Sequence, residues 1–390
     1  MDPDLPYLDG FTVDLGVDEN TIALRLQAGE ADGVFEQFAL SPEAVRQLQQ
    51  DPNLRVTESV GPRIYYLALN NDGIFGNLDL RLAVAHAATR DFVTQFGDLA
   101  KPWNQLMSST SVQSDPSGTT NYPTDAATAA DYLASGGYDG TPVKIVYDVT
   151  DPYGSANATA LKQDLEAVGF VVDLQGLQQS EFFSAIYDPT AFDISSTYWS
   201  ADYPDAQDFF STNFVCASID ILNIARFCDE SIDEAFYATD AMPFGADRDA
   251  ALRAVQQRWI DAVAGVPMME ITPKVILGPR VGDIPTLATY APFDWKRAWL
   301  LAAGLALGIE PFLFARYATP RAVENRRSVS WHPLFEFRRG TSPLVARLAV
   351  DHPRFRMPPS ESGLKGGGPG TGLMPETNAP HVFIVICESL

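Results

Sequence analysis

The sequence predicts an α/β fold, with a largely parallel sheet and helices on its faces. Three observations carry that reading. From Thr124 onward, short β-branched and apolar runs alternate with helical segments of crossover length. Glycines stand where those helices should stop, at Gly136-Gly137 and at Gly169. Pro267–Ile271 reads as a strand of the buried type.

The elements follow in order. Phe11–Leu15 alternates like a strand. In Glu19–Ala28 the apolar residues fit either period, and its Ala, Leu, Arg and Gln content favours helix. Ser41 followed by Pro42 opens a helix over Pro42–Gln50. Arg63–Leu69 is an aromatic strand, Leu78–Ala88 an alanine-rich helix and Lys101–Tyr122 a loop. Helix Asp125–Ala134, strand Val143–Tyr147, helix Asn157–Val168, strand Phe170–Leu174, short helix Glu181–Tyr187 and strand Phe192–Tyr198 follow. Helices at Glu230–Ala238 and Arg248–Val263 precede the last strand, and no internal repeat occurs.

The character changes after Trp299. Residues 300–390 carry a net charge of +3, which leaves −26 on residues 1–299 out of a total of −23. So acidic a surface repels nucleic acid and disfavours anionic membranes, so no nucleic-acid partner is expected. Ala298–Phe314 is apolar except for Glu310, and its uncharged part, Ala298–Ile309, is shorter than a membrane span. It reads either as the end of a transmembrane helix or as a buried helix. An Arg-, Pro- and Gly-rich stretch follows, and Gly366–Gly372 cannot hold regular structure. Val382–Cys387 is an apolar run like the first parallel strand of a further α/β domain.

The familiar catalytic motifs are missing: no GxSxG, HExxH, phosphate-binding loop or GxGxxG. His86 is the only histidine among the first 299 residues and sits among alanines of a helix, as an exposed or satisfied side chain. Neither a catalytic residue nor a cofactor is expected. Cys216 and Cys228 lie 12 residues apart with no metal-binding partners, and either a disulfide or two buried thiols fits that spacing. The most informative stretch is Tyr198-Trp199-Ser200-Ala201-Asp202-Tyr203-Pro204-Asp205, at the carboxyl end of a strand, where α/β sheets bind ligands. Three rings with a carboxylate among them suit an amine-bearing ligand. The same residues also make good turn chemistry.

At this point the sequence resembles the family 5 solute-binding proteins, the dipeptide and oligopeptide receptors of ABC importers. The likeness runs from about Pro6 to Leu300. It rests on Pro6-Tyr7-Leu8-Asp9-Gly10, Asp18-Glu19-Asn20-Thr21, Leu26-Gln27-Ala28-Gly29-Glu30-Ala31-Asp32-Gly33, Tyr65–Asn71, Arg81–Ala87, Trp199–Asp205 and Phe293-Asp294-Trp295. Asn77 and Asp79 depart from it, standing where the family usually has Asp and Arg. The resemblance implies a type II periplasmic-binding-protein fold of two lobes closing over a ligand, in an extracytoplasmic protein that is not an enzyme. It implies that Asp202 binds a peptide's α-ammonium, that Trp199 lines the side-chain pockets and that Tyr65 contacts the peptide backbone. It also implies a Cys216–Cys228 disulfide, and ABC importer membrane subunits as partners.

The resemblance divides the chain into part of a first lobe (1–67), a complete second lobe (68–265), a return to the first lobe (266–299) and a tail (300–390). It expects a chain shortened at its N-terminus, lacking an export signal and one wall of the cleft, with low affinity as a result. The tail resembles membrane-anchored sulfatase and lipoteichoic-acid-synthase-like proteins, through the apolar segment 298–314 and Pro380–Leu390. That second resemblance points to Glu388 as a metal ligand. It offers as the alternative a truncated metal-dependent phospho- or sulfo-transfer enzyme, or a chimera of two genes.

Overall fold

The computed structural model describes residues 10–15, 17–34, 40–58, 63–119, 121–272 and 274–282, together with strands at 335–337, 345–348 and 382–387. The elements in chain order begin with β1 (Gly10–Leu15), α1 (Glu19–Gln27), β2 (Gly33–Val34), α2 (Pro42–Leu48), β3 (Arg55–Glu58), β4 (Arg63–Leu69) and α3 (Leu78–Ala87). Next come β5 (Ala100–Pro102), α4 (Ala126–Ser135), β6 (Val143–Asp148), α5 (Pro152–Val168), β7 (Val172–Leu177), α6 (Gln179–Ile186) and β8 (Ile194–Ser200). The remainder are α7 (Ala206–Asn213), α8 (Glu230–Ala238), α9 (Ala246–Asp261), β9 (Val266–Ile271), β10 (Lys274–Leu277), β11 (Phe335–Phe337), β12 (Val345–Leu348) and β13 (Val382–Cys387). They fall into two compact units, one of residues 1–56, 275–285 and 294–390, the other of residues 57–274 and 286–293.

The smaller unit is built on a sheet of order β11-β12-β1-β13-β2-β10-β3. β13 runs parallel to β1, with Gly10 opposite Val382 and Leu15 opposite Cys387. β13 is the apolar run Val382–Cys387 singled out in the sequence, and it forms a strand here. Asp18 and Ser41 cap α1 and α2, each accepting a backbone N–H with its side chain. Asp32 is buried and takes a forked pair of hydrogen bonds from Arg280, at 3.0 and 2.9 Å. The apolar segment 298–314 and Glu388 lie outside the described residues. Among the described residues no helix is long and apolar enough to cross a membrane, and no group of three metal-ligating side chains forms.

The larger unit carries a six-stranded sheet of order β5-β9-β4-β8-β6-β7. Only β8-β6 and β6-β7 pair in parallel, and β5-β9, β9-β4 and β4-β8 are antiparallel. The sheet is mixed, which corrects the expectation of a largely parallel one. The α/β class itself holds, and the helices cover the sheet on both faces.

β4 organises this unit because all seven of its residues are buried. Its side chains alternate across the sheet. Ile64, Tyr66 and Ala68 enter a cluster with Phe209, Phe210 and Phe214 near α7, Phe236 of α8 and Trp259 of α9. Leu67 and Leu69 enter a second cluster with α3, α4 and α5. At the centre of the first, the rings of Phe210, Phe214 and Phe236 stand 5.0, 5.8 and 5.8 Å from Trp259. His86 accordingly packs within its helix's surroundings, its Nδ1 2.9 Å from the Pro123 carbonyl and its ring stacked on Tyr132.

Trp259→Ala is expected to destabilise the protein by about 3–5 kcal/mol. Chemical denaturation followed by circular dichroism checks this, and Trp259→Phe should cost less because it leaves a smaller void.

Candidate ligand-binding site

The site is built where β8 ends. The register sets Tyr65 opposite Tyr198, Ile64 opposite Trp199 and Arg63 opposite Ser200. The chain then leaves the sheet through Ala201–Pro204 and enters α7 at Asp205. Asp205 caps α7, its side chain accepting the Gln207 N–H at 3.0 Å. It also receives a two-pronged ion pair from Arg248 of α9, at 2.8 and 3.2 Å, and the Gln113 amide at 3.1 Å. Gln113 returns the contact by accepting the Ala206 N–H at 2.9 Å. Burial alone would raise the Asp205 pKa, and its hydrogen bonds from Arg248, Gln207 and Gln113 outweigh that and hold it below the usual carboxylate value.

Three residues on, Asp208 is almost wholly buried. One oxygen of its carboxylate accepts both the Trp199 indole N–H and the Asp202 backbone N–H, each at 3.1 Å. The Asp202 side chain is left exposed to solvent. Burial, augmented by the neighbouring Asp202 and Asp205 charges, raises the Asp208 pKa to about 6.

Trp199 and Asp202 face one cavity of about 310 Å³. Its wall also includes Arg63, Tyr198, Phe182 and Phe183 of α6, and Leu222 and Ile224. Leu222 and Ile224 belong to a loop closed by the Cys216–Cys228 disulfide, whose Cα atoms are 4.7 Å apart. The disulfide implied by the resemblance is therefore formed, and it restrains one wall of the cavity.

Tyr65 lies elsewhere. It is fully buried, donates its hydroxyl to Asp151 at 2.8 Å and packs 5.4 Å from the Tyr198 ring. Burial pushes its pKa well up, with the Asp151 charge adding to the effect. It supports the wall from behind, and the described lining of the cavity does not include it. Arg63 joins it to the cavity. Its guanidinium lies 3.9 Å over the Tyr198 ring and donates to the Ser200 hydroxyl at 3.0 Å. The structure thus brings Trp199 and Asp202 together and leaves Tyr65 behind them.

Sequence reasoning passed over Arg63 and Asp208. Arg63 had a visible signal, as the one charge opening an otherwise apolar strand. Asp208 had only its place three residues after a capping aspartate.

The profile of the bacterial extracellular solute-binding proteins, family 5 (Middle), matches residues 1–220. The chain belongs to this family. The di/tripeptide-binding protein 2 of Pseudomonas aeruginosa is 26% identical over 273 residues, covering 67% of this chain and 50% of the relative. Two solved structures share the fold. The periplasmic binding protein DppA of Helicobacter pylori, in complex with the peptide STSA, is 19% identical with a TM-score of 0.64, over 73% of this chain and 56% of that one. The dipeptide-binding protein of Pseudoalteromonas sp. SM9913, in complex with Met-Leu, is 21% identical with a TM-score of 0.63, over 72% and 56%. The chain spans about half the length of the curated relatives it matches. The family is one of solute-binding proteins rather than enzymes, and the type II fold expected from the resemblance is the fold of these neighbours.

Asp205→Ala leaves Arg248 buried without its partner and frees the entry to α7, so it is expected to cost about 3–5 kcal/mol. Thermal or denaturant unfolding checks this, and Asp205→Asn, which keeps the cap, should recover part of the loss.

Proposed function

We propose that the chain is the ligand-binding portion of an extracytoplasmic peptide receptor that serves an ABC importer. The observation that carries the proposal is the shared cavity wall of Trp199 and Asp202. Asp202 is the exposed carboxylate, available to take the α-ammonium of a peptide through a charge-assisted hydrogen bond. Trp199 gives a large, stiff apolar face beside it, and Phe182, Phe183 and Leu222 extend that face for a ligand side chain.

Three further facts support the reading. The relative from Pseudomonas aeruginosa is described as binding di- and tripeptides. Two structural neighbours were solved with peptides bound. The disulfide suits an oxidising compartment outside the cytoplasm. Tyr65 enters the proposal in a changed part, as a buried support for Tyr198 and Arg63.

The test is a titration of the isotopically labelled chain with millimolar dialanine, followed in amide and indole NMR spectra. The Trp199 indole and the Asp202 amide should shift, and Asp202→Ala should weaken binding at least about tenfold, the loss of one charge-assisted hydrogen bond. Equal affinity in the variant would remove Asp202 from the ammonium site.

A further inference from the structure

We propose that Asp208 is the positioning residue of this site, holding the Trp199 indole and the Asp202 backbone in place through one buried carboxylate oxygen. Both N–H groups reach the same Oδ2 at 3.1 Å. The side chain that would touch the ligand, Asp202, is thereby fixed at its backbone, and the ring beside it is fixed at its only polar atom. Asp208 itself is 3% exposed and is not among the residues that line the cavity. It acts through its two neighbours and not on the ligand.

The bridge depends on charge. An ionised carboxylate is a stronger acceptor than a protonated one. Among the described residues no cation pairs with Asp208. Asp202, Tyr203 and Asp205 are the titratable groups on the loop and cap that lead into its helix. On α9, Arg248 is engaged by Asp205, and Asp249 accepts from Gln113. Asp240, beyond α8, accepts from Gln207. Burial among these carboxylates raises its pKa to about 6, so the bridge is ionised at neutral pH and takes up a proton in mild acid. A positive ligand group held at Asp202 opposes that protonation, so ligand binding and proton release are linked. This second half rests on the peptide reading above, and the first half does not.

The experiment follows the Trp199 indole and Asp202 amide resonances of the chain from pH 4.5 to 8, assigning the indole with Trp199→Phe. Both should move along one titration with a midpoint near 6. Asp208→Asn keeps an oxygen acceptor in place and removes the ionisable group, so both resonances should lose the titration centred near 6. Wild-type resonances that do not titrate, or the same titration in Asp208→Asn, would overturn the assignment. Added dialanine should lower the midpoint by about one unit, which corresponds to roughly tenfold weaker binding below both midpoints than above them. A titration that vanishes in Asp208→Asn but ignores dialanine would uphold the positioning role and overturn the peptide reading.

Discussion

The ion pair between Asp205 and Arg248 is the constraint on which the site depends. Asp202 on the loop leaving β8 and Asp208 in α7 lie within a few residues of Asp205, and three like charges so close would repel one another in isolation. Arg248 neutralises one of them and ties the loop to α9 with a two-pronged pair of hydrogen bonds. Asp205 at the same time caps α7, which brings Asp208 back under the loop to meet Trp199 and Asp202. One carboxylate is thus paired, one is buried and bridging, and one is exposed. Their different surroundings give chemically identical groups different roles.

The scaffold behind the loop explains why this arrangement can be rigid. β4 is buried along its whole length and divides the unit into two apolar clusters. Its first residue, Arg63, is the one charge it carries, a cation held against the Tyr198 ring beside the buried pair Tyr65 and Asp151. Burial raises the Asp151 pKa, while the Arg63 charge and the Tyr65 hydroxyl pull it back down.

Apolar and aromatic runs are legible in the sequence, while caps that look like turns and strand partners distant in the chain are not. β4 begins and ends at Arg63 and Leu69 as expected, because a β-branched and aromatic run has no competing helical period. α5 begins at Pro152 rather than Asn157, since Asp151-Pro152 forms a cap and a first helical turn that resemble a loop when read alone. α7 was missed because its start is hidden behind turn-forming residues, Asp202 to Asp205. Strand direction was misjudged for a different reason. β4 pairs with β8 and β9, segments far away in the chain, and nothing within a strand encodes the direction of a distant partner. Of the site, Trp199 and Asp202 were legible through their chemistry and spacing. Asp208 was not, because its importance comes from burial and from two hydrogen bonds that only the folded loop creates. Tyr65 was legible as a conspicuous residue, while its orientation toward Asp151 was not.

The most direct measurement compares dialanine with its N-acetylated form in NMR titrations of the chain. Acetylation removes the ammonium and leaves the rest of the peptide nearly unchanged. Dialanine is expected to shift the Trp199 indole and Asp202 amide resonances, and the acetylated peptide to do so only at much higher concentration. Equal shifts at equal concentration would contradict it, since the carboxylate of Asp202 would then have no part in choosing the ligand.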